Sequence, residues 1–279
     1  MVEPTHQFTL GHISYLNCVP FFATLPQQGF SGRLVRGVPS ELNRMLQQGI
    51  IDGSPSSSFE YARNWRDYLL LPGHSIAATG KIASVLLFSP IPPEHLQGHS
   101  IAITGESATS INLLRVLLRT FYQHEKVTDY VPQGAVEDLV RNHQPALLIG
   151  DRALKVAASP PPGVKIYDLG ELWYQHTGLP FVFALWMIRR TALTLYAQPL
   201  ADLGRQLQAS RDAVLQHPEL YARQAARNIS LTTDQIVSYW QTIDFDLNEL
   251  HIKGLELFFR LCVDCGLLRA LPELEFFCK

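Results

Sequence analysis

The run Phe181-Val182-Phe183-Ala184-Leu185-Trp186-Met187-Ile188-Arg189 decides the fold. It is almost wholly apolar, rich in aromatic and β-branched side chains, and free of Gly and Pro. Such a run is a strand buried on both faces. An earlier run, Ile82-Ala83-Ser84-Val85-Leu86-Leu87-Phe88, has the same character. Between the two lies a self-contained alternation: a strand at 99–103, a polar loop at 104–110, a helix at 111–122, a helix at 139–143, a strand at 146–149 and an extended piece at 164–169. Matched strands that bracket a complete α/β segment predict a lobe inserted into an outer lobe. The expected crossovers are residues 90–93, which are Pro-rich, and residues 178–180. The division predicted is 1–90 with 181–279 for an outer α/β lobe and its C-terminal helices, and 91–180 for an inserted α/β lobe.

The outer lobe opens with a strand at 8–13. It breaks at once into Ser14-Tyr15-Leu16-Asn17-Cys18-Val19-Pro20. A second strand is read at 33–38 and a helix at 42–48, closed by Gly49. The cluster Ser54-Pro55-Ser56-Ser57-Ser58 precedes a further helix. This alternation of strand and helix predicts a largely parallel sheet. Beyond Leu195 the pattern is helical, at about 200–216, 218–228, 232–242 and 246–268. Pro218 suits a first helical position, and Thr232 or Thr233 an N-cap.

Of 279 residues, 47% are hydrophobic and 17% charged, with a net charge of −2. No basic stripe points to nucleic acid and no polybasic cluster to a membrane surface. No apolar run reaches the ~18–20 residues of a membrane span. The first seven residues lack a basic region followed by an apolar core, so a cytoplasmic protein is expected. The cysteines are Cys18, Cys262, Cys265 and Cys278. Cys262 and Cys265 form a CxxC inside an apolar helical pattern with no second pair, which reads as helix thiols rather than half a zinc site. GxGxxG, P-loop, HExxH and GxSxG motifs are absent.

Small polar clusters fall at strand ends or helix starts: 14–17, 54–58, 104–110 and 150–151. In a two-lobed α/β protein those ends face one cleft. Candidate ligand contacts are therefore Tyr15 and Asn17 in the opening, Ser56 and Ser57, Ser107, Thr109 and Ser110, and Asp151. Each hydroxyl cluster either holds an anion at a helix N-terminus or simply caps the helix. Asp151 either orients a ligand hydroxyl or caps the helix that follows it. His12, His74 and His176 lie near these stretches without ligand-spaced partners. Composition supports a cleft for a small anion rather than any one reaction.

Several blocks carry a resemblance. They are Gly-His-Ile-Ser-Tyr-Leu-Asn-Cys-Val-Pro (11–20), Pro-Ser-Glu-Leu-Asn (39–43), Ile-Asp-Gly-Ser-Pro-Ser-Ser-Ser-Phe-Glu-Tyr (51–61), Gly-Asp-Arg-Ala-Leu (150–154) and Asp-Leu-Gly-Glu-Leu-Trp-Tyr-Gln-His-Thr-Gly-Leu-Pro-Phe-Val-Phe-Ala (168–184). Together they resemble the chorismate dehydratase family (MqnA) of the futalosine route to menaquinone. The resemblance covers most of residues 8–190. It implies a fold like the type II periplasmic binding proteins, with two α/β lobes, a hinge of two strands and a cleft. It implies loss of water from chorismate, a small-molecule substrate, to give 3-[(1-carboxyvinyl)oxy]benzoate, with no metal or organic cofactor.

The same resemblance places Asn17 and Ser84 as the active-site pair. Neither is a competent base by itself. A substrate carboxylate, that of the enolpyruvyl arm, then removes the proton; the rivals are His12, Asp151 and His176. Trp173, Tyr174 and His176 either wall the cleft, with Trp173 over the substrate ring, or pack between the lobes. Lys81 and Arg152 are alternative carboxylate partners. The alternatives for the whole chain are the related 1,4-dihydroxy-6-naphthoate synthase and a non-catalytic small-carboxylate binding protein. The Ser-Tyr-Leu-Asn opening favours the dehydratase. Oligomeric state is not legible.

Overall fold

Two five-stranded sheets face each other across a cleft in the computed structural model, which describes residues 7–277. The first six residues, on which the reading of the N-terminus largely rests, and Cys278 lie outside them. Strand β1 (Thr9–Ile13) runs through a 3-10 turn at Leu16–Cys18 into α1 (Val19–Phe22). Then come β2 (Arg33–Gly37), α2 (Pro39–Gln47), β3 (Gly53–Ser57), α3 (Ser58–Asn64) and the long β4 (Tyr68–Ala78). The second lobe contains β5 (Val85–Ser89), β6 (Ser100–Ile103), α4 (Ala108–Val116), β7 (Thr128–Tyr130), α5 (Val136–Arg141), β8 (Ala146–Ile149), α6 (Gly150–Ala157) and β9 (Lys165–Asp168). Helix α7 (Leu169–Thr177) leads back to β10 (Phe181–Arg189). The C-terminal helices are α8 (Ala192–Leu195), α9 (Ala197–Gln216), α10 (Pro218–Ala225), α11 (Thr233–Trp240) and α12 (Glu249–Asp264). None of the helices among the described residues is long and apolar enough to cross a membrane.

The sheet orders are β2-β1-β3-β10-β4 and β7-β6-β8-β5-β9. Strand β1 is parallel to β2 and β3, and β6 is parallel to β7 and β8. Strand β10 runs antiparallel to β3 and β4, and β5 antiparallel to β8 and β9. Both sheets are therefore mixed, where the sequence suggests a largely parallel one. The physical reason is that each sheet takes in one strand arriving from the other lobe.

That arrangement moves a lobe boundary. Strand β5 hydrogen-bonds within the second sheet, so the chain leaves the first lobe after Ala78 and not at residues 90–93. The Pro-rich piece is a surface turn: the Ser89 hydroxyl donates to the Ile91 carbonyl and accepts the Ile91 N–H. The hinge is interrupted on both passes, by residues 79–84 on the way out and by α7 on the return. Residues 178–180 join α7 to the start of β10.

Strand β5 is buried throughout and its side chains alternate. Leu87 joins the large core that runs through both lobes, while Leu86 and Phe88 join a smaller core with Val140, Leu148 and Ala153 behind the second sheet. This is the period of two expected of a strand covered on both faces. In the first lobe Phe21 packs on Trp186 of β10, with ring centroids 4.2 Å apart. Helix α12 approaches the start of β10 so closely that a Cβ at Gly254 would lie 2.0 Å from the Pro180 carbonyl oxygen. Strands β1, β3, β6 and β8 point their carboxyl ends at the cleft, and α3, α4 and α6 begin at or just after those ends.

Candidate active site

The interlobe cleft holds a narrow cavity, with about 60 Å³ open to the centre of a water-sized sphere. Asn17 and Ser84 both line it, as do Tyr15, Ser57, Ser107 and Ser110; the remaining wall is mostly apolar, with Ile13, Ile76, Val85 and Phe183.

Asn17 sits in the 3-10 turn after β1. That turn is held from two sides: the Leu16 N–H donates to Asp151 Oδ1 at 3.1 Å, and Trp240 Nε1–H donates to the Leu16 carbonyl at 2.8 Å. Asn17 Oδ1 is buried and has no hydrogen-bond partner within the protein. Its acceptor capacity is left for a ligand.

Ser84 closes the outgoing crossover. Ala83 before it has φ of 62°, a left-handed conformation unusual for a residue with a Cβ. Asp168 holds this turn. Its buried carboxylate accepts the N–H groups of Ile82 and Ala83 and, at the start of α7, those of Gly170 and Glu171. The Ser84 carbonyl accepts the Gly150 N–H at 2.7 Å. The Tyr239 hydroxyl donates to Ser84 Oγ at 2.9 Å.

Two helices begin at the cleft wall behind serine caps. Ser57 Oγ accepts the Glu60 N–H of α3, and Ser107 Oγ accepts both the N–H and the hydroxyl of Ser110 in α4. The capping and ligand readings are thus compatible for Ser57, Ser107 and Ser110, since the caps also face the cavity. Thr109 turns the other way. Its Oγ1 accepts the Phe59 N–H at 2.8 Å and lies 3.2 Å from Ser58 Oγ, joining the two lobes in a fully buried contact. Ser56 points to the opposite face of β3 from Ser57 and is buried away from the cleft. Period two on a strand and a turn of about 100° per helical residue separate these neighbours.

Asp151 lies behind the cleft wall, clamping Leu16. Burial pushes its carboxyl up, partly offset by the Leu16 N–H. Trp173 is a fully buried core residue, with edge contacts to Phe121, Phe181 and Phe258, and does not line the cavity. Lys81 pairs with Glu171, and Arg152 pairs with Glu106 and, through two bonds of 2.7 and 2.6 Å, with Glu137. Tyr15 connects to the same network, its hydroxyl donating to Glu106 Oε2 at 2.8 Å. Its ring covers Gly150, where a Cβ would approach to 3.1 Å.

The candidate bases fare poorly. His12 stacks on Phe22 at 4.1 Å, outside the cleft lining, and burial with Arg36 nearby lowers its pKa to about 4. His176 stacks on Phe121 at 4.6 Å. Among the described residues that line the cleft, the titrating side chains are Tyr15 and Cys18. Burial raises both pKa values, so both remain protonated at neutral pH. Among the described residues no group of three His, Cys, Asp or Glu side chains is placed to hold a metal.

Two contributors escaped the sequence reading. Tyr239 lies in a helix with nothing local to mark it out. Asp168 announces itself only as an N-cap, followed three residues on by Glu171; its reach back to residues 82 and 83 has no local signal.

A family model described as menaquinone biosynthesis matches residues 8–264. A chorismate dehydratase of Thermus thermophilus is 32% identical over 265 residues, covering 90% of this chain and 93% of that protein. One of Campylobacter jejuni is 33% identical over 180 residues, covering 62% and 64%. Among solved structures, a protein of Archaeoglobus fulgidus superposes with a TM-score of 0.75 at 17% identity, covering 95% of this chain and all of that one. The alkanesulfonate-binding protein SsuA of Xanthomonas axonopodis gives 0.74 at 14% identity, covering 97% and 98%. The two-lobed periplasmic-binding-protein-like fold implied by the resemblance is thus the fold adopted. With a match across nearly its whole length, the chain belongs to the menaquinone biosynthesis family.

Proposed function

We propose that this protein is a hydro-lyase that dehydrates chorismate to 3-[(1-carboxyvinyl)oxy]benzoate, a step of menaquinone biosynthesis, in the cytoplasm. The proton leaves the ring carbon that carries the ether oxygen. The hydroxyl leaves the neighbouring carbon, and the ring becomes aromatic. Water accounts for all atoms lost and no net oxidation occurs, so the reaction balances without an electron carrier.

The observation that carries the mechanism is the make-up of the cleft. Asn17 and Ser84 face one cavity whose described lining offers no His, Asp, Glu or Lys. The base is then the substrate's own carboxylate on the enolpyruvyl arm, held against the ring proton by the cleft walls. Asn17 and Ser84 orient the substrate and stabilise charge on the ring carboxylate or the departing oxygen. Ser107, at the positive end of α4, and Ser57 receive carboxylate oxygens, and Ser110 lines the cleft beside them with its hydroxyl donated to Ser107.

The test is incubation of purified protein with chorismate, followed by mass spectrometry for loss of one water and ultraviolet absorbance for the aromatic product. Asn17→Ala is expected to lower kcat by ~100–1,000-fold, the usual cost of removing one preorganised hydrogen-bonding group, with a much smaller change in KM. Tight binding of chorismate without turnover by the unaltered protein would sink the enzyme reading in favour of a carboxylate-binding protein. Full turnover by Asn17→Ala would remove Asn17 from the mechanism.

A further inference from the structure

We infer that Tyr239 is a positioning residue that aims the Ser84 hydroxyl into the cleft. The inference rests on the reading of Ser84 as an active-site residue.

A serine hydroxyl rotates freely among staggered positions, and its one proton goes where the best acceptor lies. Ser84 is 2% exposed and Tyr239 3%. The Tyr239 hydroxyl donates to Ser84 Oγ at 2.9 Å in a buried contact. That bond occupies a lone pair of Oγ and turns the serine's own proton away from the tyrosine. Because Ser84 lines the cavity, the cleft is the side left to it. Burial raises the Tyr239 pKa, so the phenol stays a donor throughout the neutral range.

The placement of α11 adds a second constraint. Trp240, the next residue, donates its indole N–H to the Leu16 carbonyl, beside Asn17. Two consecutive side chains of one helix therefore hold the turns that carry Asn17 and Ser84. The helix start is itself fixed by a capping box between Thr232 and Gln235. Meanwhile the Ser84 carbonyl is held by the Gly150 N–H of the other lobe. Ser84 is thus gripped from the C-terminal helices at its side chain and from the inserted lobe at its backbone.

The experiment is a double-mutant cycle on chorismate turnover using Tyr239→Phe, Ser84→Ala and the pair. Tyr239→Phe keeps the ring and removes only the donor. It is expected to lower kcat about tenfold, the scale of one hydrogen bond, and to change KM less than about twofold. On the Ser84→Ala background the same change is expected to have no effect on kcat. Fluorotyrosine incorporated at 239 keeps the donor and is expected to stay within about threefold of the unaltered protein. It also serves where Tyr239→Phe folds poorly. Equal losses on both backgrounds mean that Tyr239 supports packing only and overturn the inference. A Ser84→Ala protein as active as the unaltered one overturns the Ser84 reading, and this inference with it.

Discussion

Thr109→Val removes one hydroxyl with little change of shape, and asks whether the two lobes separate during the reaction cycle. Thr109 Oγ1 accepts the Phe59 N–H at 2.8 Å and meets Ser58 Oγ at 3.2 Å, and the residue is fully buried. Phe59 lies in the first turn of α3, in the outer lobe, where backbone N–H groups have no partner within their own helix. Valine leaves that N–H buried and unpaired, a cost of about 1–3 kcal/mol. Ser58 keeps its bond to the Val182 carbonyl at 2.8 Å, so the loss is confined to the interlobe contact. In an opening protein this cost falls on the closed state alone. It then lowers apparent affinity for chorismate by ~5–150-fold. The measurements are KM, kcat and the radius of gyration from solution scattering with and without product. KM is expected to rise, kcat to change little, and the ligand-free radius to grow. Reduced thermal stability with unchanged KM and unchanged scattering would refute the reasoning, because the contact would then be permanent.

Acid sensitivity follows from two buried histidines. Burial first, with nearby Arg36 and Arg211 second, lowers the pKa of His12 and His74 to about 4 from 6.5. Below about pH 6.5 the unfolded chain takes up protons that the folded chain refuses, so this stability is full above pH 6.5 and lost down to about pH 4. Each histidine contributes on the order of 3 kcal/mol across that window. The buried carboxyls of Glu60, Asp151 and Asp168, whose pKa values burial raises, act in the opposite sense. The difference between wild type and His74→Gln in urea midpoints isolates one histidine; parallel pH curves for the two proteins would contradict the assignment. Asp168→Asn leaves one acceptor oxygen where two now serve four N–H groups on residues 82, 83, 170 and 171. It is expected to cost about 2–4 kcal/mol of stability and to lower kcat through Ser84. Full kcat in a destabilised Asp168→Asn protein would show that the turn does not position Ser84.

The resemblance picked out Asn17 and Ser84, and the fold puts both on one cavity. Spacing alone could not have done so. Ser84 is a small residue in an apolar run, and 67 positions separate it from Asn17 in the chain. Trp173 shows the converse: its place in a resembling block suggested a cleft wall, and neighbouring aromatics drew it into the core. The lobe boundary went astray at residues 90–93 because Pro-rich composition marks a turn without saying whether the chain changes lobes there.

What the sequence by itself determined was local. The strand character of β10 and β5, the start of α10 at Pro218 and of α11 after Thr232, and the serine caps of α3 and α4 rest on interactions within a few residues. Tertiary structure alone decided which face of each cluster meets the cleft. It sent Ser107 and Ser110 inward and Thr109 across to the other lobe. It also chose the partners of the site: Asp151 reaches Leu16 across 135 positions, and Tyr239 reaches Ser84 across 155. Contacts of that span depend on how the two lobes and the C-terminal helices pack together, and no local periodicity records that packing.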